Sequence, residues 1–178
     1  MARQIALLRG VNLGARNRIA MPELRDALAS AGFDDVRTYL QSGNVVLSSD
    51  ASQEQVAREC ERQIAEHFGL SSKAVVRTRD ELAEVVRRNP LRAVAVNPKR
   101  YQVSFLAAEP DPEVVLDLEA AAVAPETFVV IGREMYAWHP DGVGRSKLAA
   151  QLGGPRLGVV ATARNWATVT AVLAMADE

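Results

Sequence analysis

The sequence predicts an α+β fold whose N-terminal half is ferredoxin-like, and three observations support this prediction. Over residues 3–79 the hydrophobic pattern alternates between strand and helix periods in the order βαββαβ. A tight turn at residues 41–43 joins two β-rich runs. Both helical stretches end at a glycine, Gly32 and Gly69. In such a half, both helices cover one face of an antiparallel sheet.

The elements of this half follow from local signals. Strands are predicted at 4–9, 36–40, 44–49 and 73–77, where apolar and β-branched residues concentrate. The first helix, 22–31, opens with Pro22 and repeats leucine at helical spacing. The second, 53–68, aligns Val56, Cys60 and Ile64 on one face.

The second half, residues 81–178, is predicted to be a smaller α+β subdomain that ends in a helix, after a first subdomain at 1–80. A capping box at 78–81 starts a helix that must end before Pro90, and residues 89–98 form a connector. A strand at 100–107, a helix at 113–121 and a hairpin at 127–138 follow. Helices at 146–152 and 166–175 complete a partial repeat, βαββα, of the first half.

Composition restricts the class of protein. The 178 residues are 48% hydrophobic and 24% charged, which is ordinary for a globular chain. No apolar run approaches the ~20 residues that cross a bilayer, and the N-terminus lacks a signal-peptide pattern. Cys60 is a single cysteine, so it forms no internal disulfide and no multi-cysteine metal site. We therefore expect a cytoplasmic protein that does not insert into membranes.

The charges are segregated along the chain although the net charge is only −1. Residues 1–22, 85–108 and 142–176 contain no acid, and together they carry 13 of the 21 basic residues. If these stretches meet in space, they form one positive surface that attracts phosphates or carboxylates. If they scatter, they are only solvated faces.

No residue pattern identifies a reaction, so the sequence leaves open whether this is an enzyme, and it identifies neither catalytic residues nor a cofactor. The titratable candidates are His67, His139 and Cys60. Each has a structural interpretation that is favoured over catalysis. Cys60 lies on the apolar stripe of a helix, His67 lies at a helix C-terminus, and His139 lies in a predicted turn. Hydrolase, zinc and P-loop motifs are absent, and no metal site is predicted.

A set of basic and uncharged polar residues remains as a candidate ligand-binding surface. They follow the first strand, line the hairpin turn or stand at the starts of the last helices: Arg9, Asn12, Asn17, Gln41, Asn44, Lys147, Thr162, Arg164 and Asn165. Arginine donors suit phosphate and carboxylate groups. The alternative is turn formation and helix capping, for which Asn and Gly are also favoured.

The start of the last helix carries the most specific of these predictions. Asn165 is placed to cap the first turn, while Trp166 and Val169 anchor the helix in the core. Thr162 and Arg164 would then stand just outside the first turn and add donors to its free N–H groups. We also expect Arg9, Arg16 or Arg18 to share one basic concavity with Lys147 and Arg164.

Four sequence blocks together resemble a known family. They are Leu8-Arg9-Gly10-Val11-Asn12-Leu13-Gly14, Tyr39-Leu40-Gln41-Ser42-Gly43-Asn44-Val45-Val46, Ser146-Lys147-Leu148 and Thr162-Ala163-Arg164-Asn165-Trp166-Ala167-Thr168-Val169. These are similar to blocks of the bacterial domain-of-unknown-function family 1697, in the same order, with Ala163 where a second Thr is usual. The resemblance implies an α+β protein with a ferredoxin-like portion. It implies no activity, cofactor or catalytic residue.

Three functions are therefore open. The first is a protein of otherwise unknown function that binds a small phosphorylated or carboxylated ligand. The second is a protein that binds RNA or another nucleic acid, which the basic residues and the fold suit but the aromatic-free central strands of the first half do not. The third is a structural or interaction protein without catalytic activity. The sequence does not predict the oligomeric state.

Overall fold

The computed structural model describes all residues from Met1 to Glu178. The chain forms two compact units, of which the first comprises Met1–Ala83 with Val172–Glu178 and the second comprises Glu84–Ala171. Each unit contains one four-stranded antiparallel sheet. The α+β class predicted from the sequence is confirmed.

The first unit follows the predicted order of elements. Its strands are β1 (Ala2–Arg9), β2 (Asp34–Tyr39), β3 (Asn44–Ser49) and β4 (Lys73–Thr78), and its helices are α1 (Met21–Ser30) and α2 (Gln53–Phe68). The strands lie in the order β2-β3-β1-β4, and every neighbouring pair is antiparallel. This is the ferredoxin-like βαββαβ arrangement.

Both helices of the first unit pack on one face of its sheet, as predicted. The shared core contains Leu24 and Leu28 of α1, Cys60 and Ile64 of α2, and Leu8 of β1. Because side chains alternate along a strand, the other face of β1 carries Ile5 and Leu7, which are also buried. The central strand is therefore apolar on both faces, which explains its unbroken hydrophobic run.

Capping residues set the starts of α2 and of the helix that follows β4. Ser52 and Gln55 form a reciprocal capping box at α2, whose C-cap is the left-handed Gly69. At α3 (Arg79–Arg88), the Glu81 N–H donates to Thr78 Oγ1, and the Thr78 N–H donates to Glu81 Oε2. The predicted box at 78–81 is confirmed.

The second unit contains β5 (Tyr101–Leu106), α4 (Pro112–Ala121), β6 (Thr127–Ile131), β7 (Glu134–Trp138), α5 (Lys147–Gln151) and β8 (Ala161–Asn165). Its strands lie in the order β6-β7-β5-β8. The chain then enters α6 (Trp166–Asp177). The order βαββαβ and the strand order both repeat those of the first unit, so the predicted partial repeat is in fact complete.

The strand β8 was not predicted by the sequence analysis, which assigned residues 162–165 no element of their own before the last helix. Its five residues pair antiparallel with β5, with Arg164 opposite Val103 and Thr162 opposite Phe105. The segment contains one β-branched residue and two alanines, which are depleted in strands, so its local composition is not typical of a strand. Pairing with β5 supplies the hydrogen bonds that make it one.

The core of the second unit lies on the face of its sheet that α4 and α5 cover. Leu118 of α4 and Leu148 of α5 pack there with Leu106, Met135 and Ala137 of the sheet.

None of the helices in the chain combines the length and apolar character that crossing a bilayer requires.

Candidate functional site

A cleft of about 670 Å³ opens on the surface of the second unit. Four parts of this unit line it: Arg100 before β5, Ala121 at the end of α4, residues 123–126 before β6, and residues 140–142 with 145–147 between β7 and α5. Its volume lies within the ~300–1,000 Å³ range of small-molecule sites. We treat this cleft, hereafter the α4–α5 cleft, as the candidate site.

Three cations line the α4–α5 cleft: Arg100, Arg145 and Lys147. The side chains of Arg145 and Lys147 are exposed and form no hydrogen bond or ion pair within the chain. Between them, Ser146 Oγ accepts a hydrogen bond of 2.9 Å from the N–H of Ala149 and caps α5. Arg100 Nη1 donates to the carbonyl of Pro140. The segment that carries the two unpaired cations is therefore held in place by the Ser146 cap and by the contact of Arg100 with Pro140.

Two carboxylates line the same cleft: Glu126 and Asp141. Glu126 Oε1 lies 2.9 Å from Nδ1 of His139, an imidazole with no exposed surface. The backbone of His139 is fixed in turn, because its N–H donates to the Arg100 carbonyl and its carbonyl accepts from the N–H of Gly142, each at 3.0 Å. The turn that the sequence predicted at His139 is present, and in addition this side chain holds a carboxylate at the cleft wall.

Of the candidate residues named from the sequence, Lys147 lines the α4–α5 cleft. Five others belong to the first unit: Arg9, Asn12, Asn17, Gln41 and Asn44. Thr162, Arg164 and Asn165 belong to the second unit but do not line the cleft.

Asn12 connects two loops of the first unit. Its Nδ2 donates to the Gln41 carbonyl at 2.7 Å and to the Ile19 carbonyl at 3.0 Å, and its Oδ1 accepts from the Ile19 N–H at 2.8 Å. Its backbone is left-handed, with φ of 52°. These contacts are the turn-forming role that the sequence analysis gave as the alternative to ligand binding.

Asn17 and Asn44 make comparable internal contacts. Asn17 Nδ2 donates to the Gly10 carbonyl at 3.0 Å. Asn44 is fully buried, and its Nδ2 donates to the Tyr39 carbonyl at 2.9 Å and to Ser42 Oγ at 3.0 Å. The side chains of Arg9 and Gln41 are exposed. Their role in binding a ligand stays a prediction, as it does for the asparagines.

The side chains of Thr162 and Arg164 differ from the expectation, because both are buried in β8 rather than open to solvent beside a helix N-terminus. Arg164 Nη1 donates to Thr162 Oγ1 at 2.7 Å and to the Ala163 carbonyl at 2.8 Å. Burial lowers the pKa of Arg164 to about 10. Asn165 does cap the helix as predicted, since its Oδ1 accepts from the Thr168 N–H at 2.9 Å.

Some basic residues of the acid-free stretches form ion pairs in the folded chain with acids that lie outside those stretches. Arg87 and Arg88 both bond to Glu84, and they lower the pKa of that carboxyl to about 2. Arg3 bonds to Asp35. Arg16 and Arg18, in the first unit, are exposed. That they share a concavity with residues of the second unit stays a prediction.

Cys60 and the aromatic residues of β5 and β7 lie in the protein core. Cys60 has no exposed surface, and burial raises the pKa of its thiol to about 12, so it fits the predicted core role. The aromatic residues of β5 and β7, Tyr101, Phe105, Tyr136 and Trp138, are buried. Tyr101 stacks on Trp166 with ring centroids 4.9 Å apart. No group of three or more potential metal ligands is present.

A family model described as "Protein of unknown function (DUF1697)" matches residues 1–136 of the chain, which is about three quarters of its length. The chain belongs to this family. No curated protein sequence matches it. Among solved structures, the conserved bacterial protein SP0830 from Streptococcus pneumoniae is similar, with a TM-score of 0.78, 21% sequence identity and 98% of each chain covered. At that identity the similarity shows the fold and nothing more.

In this DUF1697 chain, the four blocks that resemble the family lie at connections between elements. Residues 8–14 leave β1, residues 39–46 form the β2–β3 turn, and Asn12 joins these two blocks. Residues 146–148 begin α5 at the α4–α5 cleft, and residues 162–169 pass from β8 into α6.

Four charged residues of the cleft were not singled out by the sequence analysis of this DUF1697 chain: Arg100, Glu126, Asp141 and Arg145. Two signals were available, since Arg100 and Arg145 lie in acid-free stretches and Arg145 is two residues from Lys147. Glu126 has no such signal, because only the fold brings it beside residues 140–147.

Proposed function

We propose that this protein binds a small anionic molecule, phosphorylated or carboxylated, in the α4–α5 cleft. The observation that carries the proposal is the pair of exposed cations, Arg145 and Lys147, that line one concave site without any partner in the chain. Cations in protein structures are commonly neutralised by neighbouring carboxylates, as Arg87 and Arg88 are by Glu84. Arg145 and Lys147 are available to a ligand instead.

The chemistry of the two side chains suits a phosphate or a carboxylate. A guanidinium presents up to five N–H donors in a planar fork, and an ammonium adds a compact point charge. Gly142 and Ser146 contribute backbone and hydroxyl groups to the same lining. A cleft wall also limits the solvent around a bound anion, which strengthens its attraction to both cations.

The proposal is tested by thermal unfolding with inorganic phosphate or ribose 5-phosphate at millimolar concentration, against sodium chloride of equal ionic strength. A ligand that binds only the folded state raises its melting temperature by mass action. We expect the wild-type protein to gain several degrees from the phosphate compounds. Arg145→Ala and Lys147→Ala should each lose most of this gain.

Arg156→Ala is the matched control, because Arg156 is an exposed arginine of the same unit that forms no ion pair and does not line the α4–α5 cleft. This variant should keep the full gain. Equal losses in Arg145→Ala and Arg156→Ala would mean that phosphate acts through general charge, and no gain in the wild type would reject the proposal.

A further inference from the structure

The α4–α5 cleft contains charges of both signs that do not pair with each other. Three cations, Arg100, Arg145 and Lys147, and two carboxylates, Glu126 and Asp141, line it, and no ion pair joins any cation to either carboxylate. Elsewhere in the chain, neighbouring opposite charges do pair, as in the triad of Glu59, Arg62 and Glu66 on α2. The cations and the carboxylates of the cleft are therefore both available to a ligand.

Glu126 is held at the cleft wall by a contact with a buried histidine. Its contact with His139 Nδ1 fixes one carboxylate oxygen, and its side chain is only 15% exposed. Nε2 of His139 is buried and has no hydrogen-bond partner. Oε1 of Glu126 faces His139, which leaves Oε2 for a ligand in the cleft.

A ligand that carried only negative charge would use the cations of the cleft but would be repelled by its carboxylates. A ligand with an anionic group and an ammonium group satisfies both sets. The ammonium supplies N–H donors for the oxygens of Glu126 and Asp141, and such charge-assisted hydrogen bonds are stronger than neutral ones.

We propose that the α4–α5 cleft selects zwitterionic molecules, in which a phosphate or carboxylate contacts Arg145 and Lys147 while a primary ammonium contacts Glu126 and Asp141. This inference rests on the function proposed above and narrows its ligand class from anions to zwitterions.

The test compares O-phosphoethanolamine with ethyl phosphate by isothermal titration calorimetry on the full-length protein at pH 7. The two compounds share the phosphate and the two-carbon chain, and they differ in the ammonium group. We expect the wild-type protein to bind O-phosphoethanolamine at least tenfold more tightly. Glu126→Gln keeps an oxygen that can accept from His139 but removes the charge, so it should reduce this preference to less than threefold and raise the affinity for ethyl phosphate.

Asp141→Asn provides a second variant, at an exposed position where a folding defect is not expected. It too should lower the preference for O-phosphoethanolamine. Equal affinity of the wild type for the two compounds would overturn the inference while leaving anion binding intact. The inference would also be overturned if both variants kept the preference for O-phosphoethanolamine, because the carboxylates would then not be the groups that bind the ammonium. If neither compound binds, both the inference and the function on which it rests are rejected.

Discussion

The side chain of Asn12 connects two loops of the first unit. Its amide forms three hydrogen bonds to backbone groups of Ile19 and Gln41, in a left-handed conformation that Asn tolerates better than most residues. Asn17 provides a natural comparison, because it has a similar φ of 51° but donates a single hydrogen bond from its side chain, to Gly10. The two positions thus differ in hydrogen bonding rather than in backbone strain.

We predict that Asn12→Ala lowers the free energy of unfolding by about 2–3 kcal/mol, since each hydrogen bond contributes about 1 kcal/mol net. Asn17→Ala should cost about 1 kcal/mol for its one bond. Urea denaturation monitored by tryptophan fluorescence measures both values. If the two variants are equally stable, backbone conformation rather than the amide of Asn12 determines the stability of these loops.

At the scale of elements, the junction of β8 and α6 joins two kinds of structure without a connecting loop. β8 ends at Asn165, and α6 begins at Trp166. Asn165 therefore serves both elements, because its backbone completes the pairing with Gln102 while its Oδ1 caps the first turn of the helix. The side chain of an N-cap residue commonly contributes about 1 kcal/mol.

We predict that Asn165→Ala destabilises the protein by about 1 kcal/mol, whereas Asn165→Asp, which keeps the accepting oxygen, stays within about 0.5 kcal/mol of the wild type. Chemical denaturation provides the comparison. Equal losses in both variants would show that the amide N–H₂ group, not the capping oxygen, is the part of Asn165 that matters.

At the scale of the whole molecule, the last residues of the chain return to the first unit. Val172–Glu178 belongs to that unit, and within this segment Val172 and Ala176 are buried. Two exposed ion pairs accompany them, between Asp177 and Arg79 and between Glu178 and Arg37. Exposed ion pairs contribute little to stability, so the buried apolar contacts should dominate.

We predict that deletion of residues 172–178 lowers the free energy of unfolding by at least about 2 kcal/mol, the loss expected when a buried valine and its neighbours are removed. The double variant Asp177→Ala/Glu178→Ala, which keeps the apolar contacts, should unfold at nearly the wild-type temperature. Calorimetry on the two proteins separates the contributions. A double variant as unstable as the deletion would show that the ion pairs, and not Val172 and Ala176, hold this segment.

The sequence by itself determined most of the elements, because their signals are local. The periodic stripe of α2, its Gly69 stop, the capping box at 78–81 and the cap at Asn165 each depend on residues a few positions apart. The βαββαβ order of the first unit follows from those elements and from its hairpin turn. These features were predictable because the interactions that stabilise them form within one or two turns of the chain.

Only the tertiary structure decided the identity of β8 and the composition of the α4–α5 cleft. Residues 161–165 form a strand because β5 offers hydrogen-bond partners about 60 positions earlier in sequence, although their own composition is not typical of a strand. Burial of Thr162 and Arg164 follows from that pairing. Likewise, Arg100, Glu126 and residues 140–147 come together because β5, β6 and β7 are neighbours in one sheet, and strand pairing over such separations leaves no periodic signal in the sequence.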